Sequence, residues 1–214
     1  MKDDSSTEYI SGELAEQVNR AVEVLKSGGV VAYPTDTVYG LGADITNDKA
    51  VRKIYSIKDR PLGLPLPVLI AEASDVVSLT AERTAAAELL MDRFWPGALT
   101  IIFHRNPAFN SLVLGGSDRV GIRLPDSPLT RLMIGKLGRP VVGTSANLHD
   151  GKNTLTAQEV KEQLGDQVDF IIDAGPCSRS IESTVVDVTV DPPAILRRGI
   201  IPPEEIMEAI KRRG

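Results

Sequence analysis

The chain has 214 residues, 42% of them hydrophobic and 25% charged, with a formal net charge of -5 at pH 7. That composition suits one soluble globular domain and excludes disordered and fibrous classes. The acidity argues against broad nucleic-acid binding, one cysteine excludes an internal disulfide, and two histidines leave no Cys/His cluster for zinc.

The N-terminal stretch MKDDSSTEYI is polar and has no apolar segment behind it, and no run approaches the ~20 apolar residues of a membrane helix. We read residues 1–11 as a polar segment, 12–214 as one domain, and the location as cytoplasmic, with no membrane contact. In GELAEQVNRAVEVLKSGG, Leu14, Val18, Ala21, Val22 and Leu25 share a helical face, and Gly28 and Gly29 stop the helix. VVAYP reads as a strand, and the glycines of YGLGAD permit tight turns and close backbone approach. A helix follows over about 47–57, ending before KDRP. Strands are expected at LPVLI, ALTIIF, VGIRLP and PVVG, separated by helices in TAERTAAAELLMDRF and PLTRLMIGKL. Thr156 and Glu159 form a capping box that opens AQEVKEQL, and strands follow at VDFIID, STVVDVT and AILRR. The last helix carries Pro203, Glu204 and Glu205 in its first turn and Lys211, Arg212 and Arg213 in its last, matching the helix dipole. Helices interleaved with short strands imply an α/β fold on one mixed, twisted sheet.

Several residues carry candidate chemistry. Pro61 pushes Arg60 towards an extended conformation, in which Lys58 and Arg60 face one side; two neighbouring cations invite an anion such as a polyphosphate, the alternative being a solvated loop. Ser145 and Asn147 repeat that spacing just past a buried strand, where open α/β sheets place ligands, although Ser and Asn also favour caps and turns. Arg123 and Arg197 project from apolar strands, where a charge needs either a ligand or a salt-bridge partner. Arg119, in the loop GGSDRV, is a weaker candidate. Thr35, Thr37, Ser183 and Thr184 add uncharged donors for a small polar substrate or for backbone caps. Sharper motifs fail. GTSAN lacks the second glycine of a nucleophile elbow, YGLG lacks the third glycine of a dinucleotide fingerprint, and no Walker A sequence occurs. Trp95, before Pro96 and Gly97, reads as core or turn packing.

The segments GGVVAYPTDTVYGLGAD, IKDRP, FWPGALTII, VGIRLPD, VVGTSAN, IESTVVD and ILRRG stand in the order and spacing of the YrdC-like family, and the resemblance runs from about residue 12 to 205. Its enzymes are threonylcarbamoyl-AMP synthases, so the resemblance implies formation of threonylcarbamoyl-adenylate and pyrophosphate from L-threonine, bicarbonate and ATP with Mg²⁺. A tRNA-modifying threonylcarbamoyl transferase complex would take the product. It also implies a twisted sheet with a positively charged concave face. The family's Lys-x-Arg pair falls on Lys58 and Arg60, which would be catalytic and bind ATP, and its Ser-x-Asn pair on Ser145 and Asn147. Arg197, Asn153 and Arg119 would also hold ATP; Thr35, Arg123 and Ser183 would hold threonine; no residue is expected to ligate a metal. Leu64 and Leu69 stand where many relatives are polar, and the chain resembles the short form without a C-terminal extra domain. Two other readings stay open: an RNA-binding module using a basic concave face, and a carbamoyl-adenylate enzyme of the hydrogenase-maturation type.

Overall fold

The computed structural model describes residues 10–149 and 151–211. Most of the expected polar segment, and Arg212 and Arg213 of the last turn, lie outside them. The helices are α1 (Gly12–Lys26), α2 (Asp48–Ile57), the short α3 (Val76–Leu79), α4 (Ala85–Phe94), α5 (Pro128–Leu137), α6 (Ala157–Leu164) and α7 (Pro203–Lys211). The strands are β1 (Val31–Tyr33), β2 (Gly40–Gly42), β3 (Val68–Leu69), β4 (Leu99–His104), β5 (Arg119–Arg123), β6 (Val141–Val142), β7 (Thr144–Ser145), β8 (Phe170–Ile171), β9 (Thr184–Asp187) and β10 (Ala194–Arg197).

The strands form two mixed sheets, not the single one expected. One has the order β7-β2-β1-β8 and the other β10-β9-β4-β5-β3-β6. The stretch PVVGTS explains the division. Val141 and Val142 pair with β3, Thr144 and Ser145 pair with β2, and Gly143 between them is where the chain changes sheet. A Cβ on Gly143 would lie 2.5 Å from Leu69 Cγ, so only glycine fits that crossing.

Glycine explains a second correction. Gly40–Gly42 of YGLGAD forms a strand rather than a turn, and the close approach its glycines were expected to permit is realised there: the Tyr33 ring lies against β2 where Cβ atoms on Gly40 and Gly42 would come within 2.7 and 2.6 Å of it. The Tyr33 hydroxyl then donates to Val142 O at 2.7 Å, tying one sheet to the other.

Helix starts follow their caps. Thr156 and Glu159 make the expected capping box on α6, and Ser127 caps α5 with Pro128 in its first turn. The helix expected from Thr80 starts later, because Thr84 accepts from Ala87 N as the cap of α4 and Thr80 instead bridges Arg105. Val76–Leu79, unassigned in the sequence reading, forms α3.

Two apolar layers result. The expected face of α1 packs with Leu129, Met133, Ile134 and Leu137 of α5 against β1. α2, α4, α6 and α7 cover the other core, which includes one face of the six-stranded sheet and the buried Trp95. Alternation along the central strands fixes that face. Leu99, Ile101 and Phe103 of β4, Val120 and Ile122 of β5, and Val186 of β9 enter the core. The opposite face is left for a site.

Candidate active site

That opposite face floors a cavity of about 280 Å³. Thr100 and Ile102 of β4, Gly121 and Arg123 of β5, Ser183 and Val185 around β9, and Leu196 and Arg197 of β10 line it. The four-stranded sheet supplies the facing wall through Gly40 and Ser145, and through Thr35 and Thr37 in its β1–β2 connection, while Arg60 and Pro65–Pro67 close one side. The site thus lies where the two sheets face each other, and the strand beginning at Thr144 ends in small polar groups because it forms part of that wall.

The structure brings Thr35, Arg60, Arg123, Ser145, Ser183 and Arg197 together in this cavity. Arg119 shares the Arg123 face of β5 but stands further along the strand, paired with Asp187 at 2.7 Å. Asn153 donates to Ser180 O at 3.1 Å and does not line the cavity. Lys58 and Asn147 sit behind Ser145.

Lys58 and Arg60 do not form the expected extended pair. Lys58 is the C-cap of α2 and Asp59 adopts a left-handed φ of 43°, so that Asp59 N reaches Ser56 O and Arg60 N reaches Tyr55 O. This is a Schellman ending, with aspartate in the position glycine usually takes. It turns the two side chains apart. Arg60 reaches Pro65 O at 2.8 Å at the cavity wall. Lys58, 8% exposed, places its ammonium 3.0 Å from Ser145 O, 2.5 Å from Asn147 O and 2.6 Å from Asn147 Oδ1. Burial pushes the Lys58 pKa down to about 8; Glu182 opposes this and Arg60 adds to it.

Arg123 is buried and well held. Its Nε donates to Gly97 O at 2.9 Å, Nη1 to Thr37 Oγ1 at 3.0 Å, and Nη2 to Asp36 Oδ1. Burial pushes the guanidinium pKa down and Asp36 opposes it, leaving a cation as arginine remains in proteins. Thr35 Oγ1 lies 2.9 Å from Thr37 Oγ1 and donates to Val38 O, so the PTDT stretch is a knotted turn around Arg123. On the other side, Ser183 Oγ lies 2.8 Å from Thr100 Oγ1 and accepts from Arg197 Nη2 at 3.1 Å, while Arg197 Nη1 pairs with Glu182.

Sequence reasoning missed Asp36, Glu182 and the Gly97 carbonyl. Asp36 stood between two flagged threonines, and an arginine inside apolar GIRLP requires a carboxylate somewhere; nothing local tells which one. The ionised lining is three guanidiniums, Arg60, Arg123 and Arg197, against Glu182, with Asp36 behind Arg123. That arrangement suits a polyanion. No group of three or more His, Cys, Asp or Glu side chains able to hold a metal occurs among the described residues. No helix among them is long and apolar enough to cross a membrane.

Comparison with known proteins points the same way. The family described as Telomere recombination, which groups Sua5, YciO and YrdC proteins, matches residues 23–199. The threonylcarbamoyl-AMP synthase of Bacillus subtilis (strain 168) is 42% identical over 195 residues, covering 91% of this chain and 56% of that protein. The crystal structure of Pyrococcus abyssi Sua5 complexed with L-threonine superposes with a TM-score of 0.87 at 36% identity, over 91% of this chain and 57% of the other. The chain therefore spans a little over half the length of these relatives. Full-length HypF in its phosphate- and nucleotide-bound form shares the fold, with a TM-score of 0.75 at 20% identity over 86% of this chain and 29% of that one.

Proposed function

Because the chain belongs to the Sua5/YciO/YrdC family, we propose that it is an L-threonylcarbamoyladenylate synthase, a nucleotidyltransferase in which residues 12–214 form one domain. The observation that carries this reading is one cavity lined by Arg60, Arg123 and Arg197 together with the hydroxyls of Thr35, Ser145 and Ser183.

In this reading threonine and bicarbonate give the carbamate with loss of water. A carbamate oxygen attacks the α-phosphorus of ATP, forming the acyl-phosphate bond and releasing pyrophosphate. No covalent enzyme intermediate is needed; positioning and charge neutralisation lower the barrier. Arg60 and Arg197 take the phosphates, which bring Mg²⁺ with them as part of the substrate, since Glu182, the one carboxylate lining the cavity among the described residues, is engaged by Arg197. Arg123 takes the threonine carboxylate with the two N–H groups that its protein partners leave unused, and Thr35 and Ser183 take the remaining polar groups of threonine. Ser145 faces the nucleotide with Asn147 supporting it from behind, and Asn153 and Arg119 lie further out. Lys58 serves from behind Ser145. The product passes in the cytoplasm to a tRNA-modifying threonylcarbamoyl transferase complex, which attaches the group to the anticodon-adjacent adenosine.

The test is pyrophosphate release from Mg-ATP with mass spectrometry of the nucleotide product, omitting threonine and bicarbonate in turn. Release that requires both and yields threonylcarbamoyl-adenylate is expected. Release supported by carbamoyl phosphate without threonine would assign the cavity to carbamoyl-adenylate formation instead, and no release with either would overturn the synthase reading.

A further inference from the structure

The orientation of the Ser145 hydroxyl follows from its neighbours. The charged Lys58 ammonium has three donors and no acceptor. At 2.6 Å it cannot face the NH₂ end of an amide, so Asn147 must present Oδ1 to it. From the other end, Asn147 Nδ2 lies 2.7 Å from Gly151 O, which can only accept. The amide orientation, often ambiguous, is fixed twice. Oδ1 also can only accept, so Ser145 Oγ, 2.7 Å away, must donate to it. The single hydroxyl proton is then engaged, and Ser145 offers only lone pairs to the cavity that it lines. The Lys58 donors are all engaged as well, on Ser145 O, Asn147 O and Asn147 Oδ1.

We infer that Lys58 is a positioning residue that, through Asn147, fixes Ser145 as a hydrogen-bond acceptor in the cavity, so that Ser145 recognises an N–H or O–H donor on the nucleoside of ATP and not a phosphate oxygen. An ionised phosphate oxygen has no proton to give and would meet the lone pairs of Ser145 with repulsion. The nucleoside donors of ATP are its two ribose hydroxyls and the adenine amine. Nucleoside recognition is thereby separated from charge neutralisation, which falls to Arg60 and Arg197. The choice of ATP as ligand rests on the proposed function; the hydroxyl orientation does not.

Calorimetric titration of the wild-type chain and of Ser145→Ala with ATP, 2′-deoxy-ATP, 3′-deoxy-ATP, purine riboside triphosphate and inorganic tripolyphosphate tests the inference. At least one donor-deleted analogue should bind the wild type about tenfold more weakly than ATP. That gap should close in Ser145→Ala, with tripolyphosphate affinity unchanged, and Lys58→Met should close it too. If Ser145→Ala weakens tripolyphosphate as much as ATP, or if no analogue differs from ATP in the wild type, the inference is overturned. Neutron diffraction on the free, deuterated protein gives an independent answer: a Ser145 deuteron directed at Asn147 Oδ1 supports the inference, and one directed into the cavity refutes it. Failure of every nucleotide to bind would sink the ATP reading alone, and the neutron map would still decide the orientation.

Discussion

At the scale of single residues, the site depends on two buried cations with different means of support. Lys58 is supported by oxygens, and its pKa, lowered to about 8, gives it opposite effects on stability and function. An ordinary lysine titrates at about 10.4. Between pH 8 and that value the unfolded chain binds more protons than the folded one, so the contribution of this group to stability rises with pH. Function should fall over the same range, because a neutral amine has two N–H donors for three carbonyl oxygens. We expect kcat/KM to decline with a midpoint near pH 8, tracked by the Lys58 Cε resonance in carbon-13 NMR; a Cε midpoint near that of free lysine would disprove it. Arg123 is supported instead by a carboxylate: its side chain is 8% exposed, and that of Asp36 is 16% exposed. Replacing Asp36 with Asn leaves an uncompensated buried cation and should cost roughly 3–5 kcal/mol in equilibrium denaturation. Adding Arg123→Met should recover part of that loss, since a neutral Asn–Met pair leaves no buried charge without a partner. Additive losses would show that the pair is not coupled.

At the scale of elements, the site is set by how short strands change sheets. Gly143→Ala would drive a Cβ into Leu69, which is buried in the second core layer, and would shift the strand that carries Ser145. The expected cost is about 1–3 kcal/mol, read from denaturant midpoints, with a drop in nucleotide affinity. Combined with Leu69→Ala the loss should be at least 1 kcal/mol smaller than the sum of the single changes, as for atoms in direct contact. Strict additivity would mean that β3 gives way without strain. This crossing also shows where sequence reading stops. α1, α5 and α6 were legible because their apolar spacing and caps are local, and β4, β5 and β9 because alternation is local too. β2 was not, since Gly40 and Gly42 signal a turn until the Tyr33 ring is placed on them. The change of sheet was not, since Leu69 lies far from Gly143 in sequence. The Lys58–Arg60 turn was misread for a similar reason: Pro61 predicted extension, but the helix ending took its left-handed residue from Asp59. Most candidate residues stood out by type and spacing, Asn153 through the family resemblance alone; the partners Asp36 and Glu182 are set by tertiary contact.

At the scale of the whole molecule, the proposed function asks a chain of net charge -5 to attract a polyanion. Long-range attraction cannot do this, so the attraction must be local, from the Arg60, Arg123 and Arg197 guanidiniums that line one cavity. Glu182 works against it. Its carboxylate engages Arg197 Nη1, while Ser183 holds Nε and Nη2 at 3.1 Å each, so a phosphate entering the cavity competes with Glu182 for the guanidinium. Removing the carboxylate while keeping Arg197 on Ser183 should therefore tighten ATP. We expect Glu182→Gln to raise ATP affinity about threefold to tenfold and Arg197→Gln to lower it by at least about tenfold. For the wild type, moving from 0.05 to 0.5 M salt should weaken ATP by about tenfold, because screening at these concentrations reaches into an open cavity. The Glu182→Gln variant separates two accounts of the ion pair. If it binds ATP more tightly, the pair is a competitor that the ligand displaces, and Ser183 alone suffices to orient Arg197. If it binds less tightly, Glu182 is what keeps Arg197 aimed into the cavity, and the electrostatic gain of removing it is smaller than the loss of that aim.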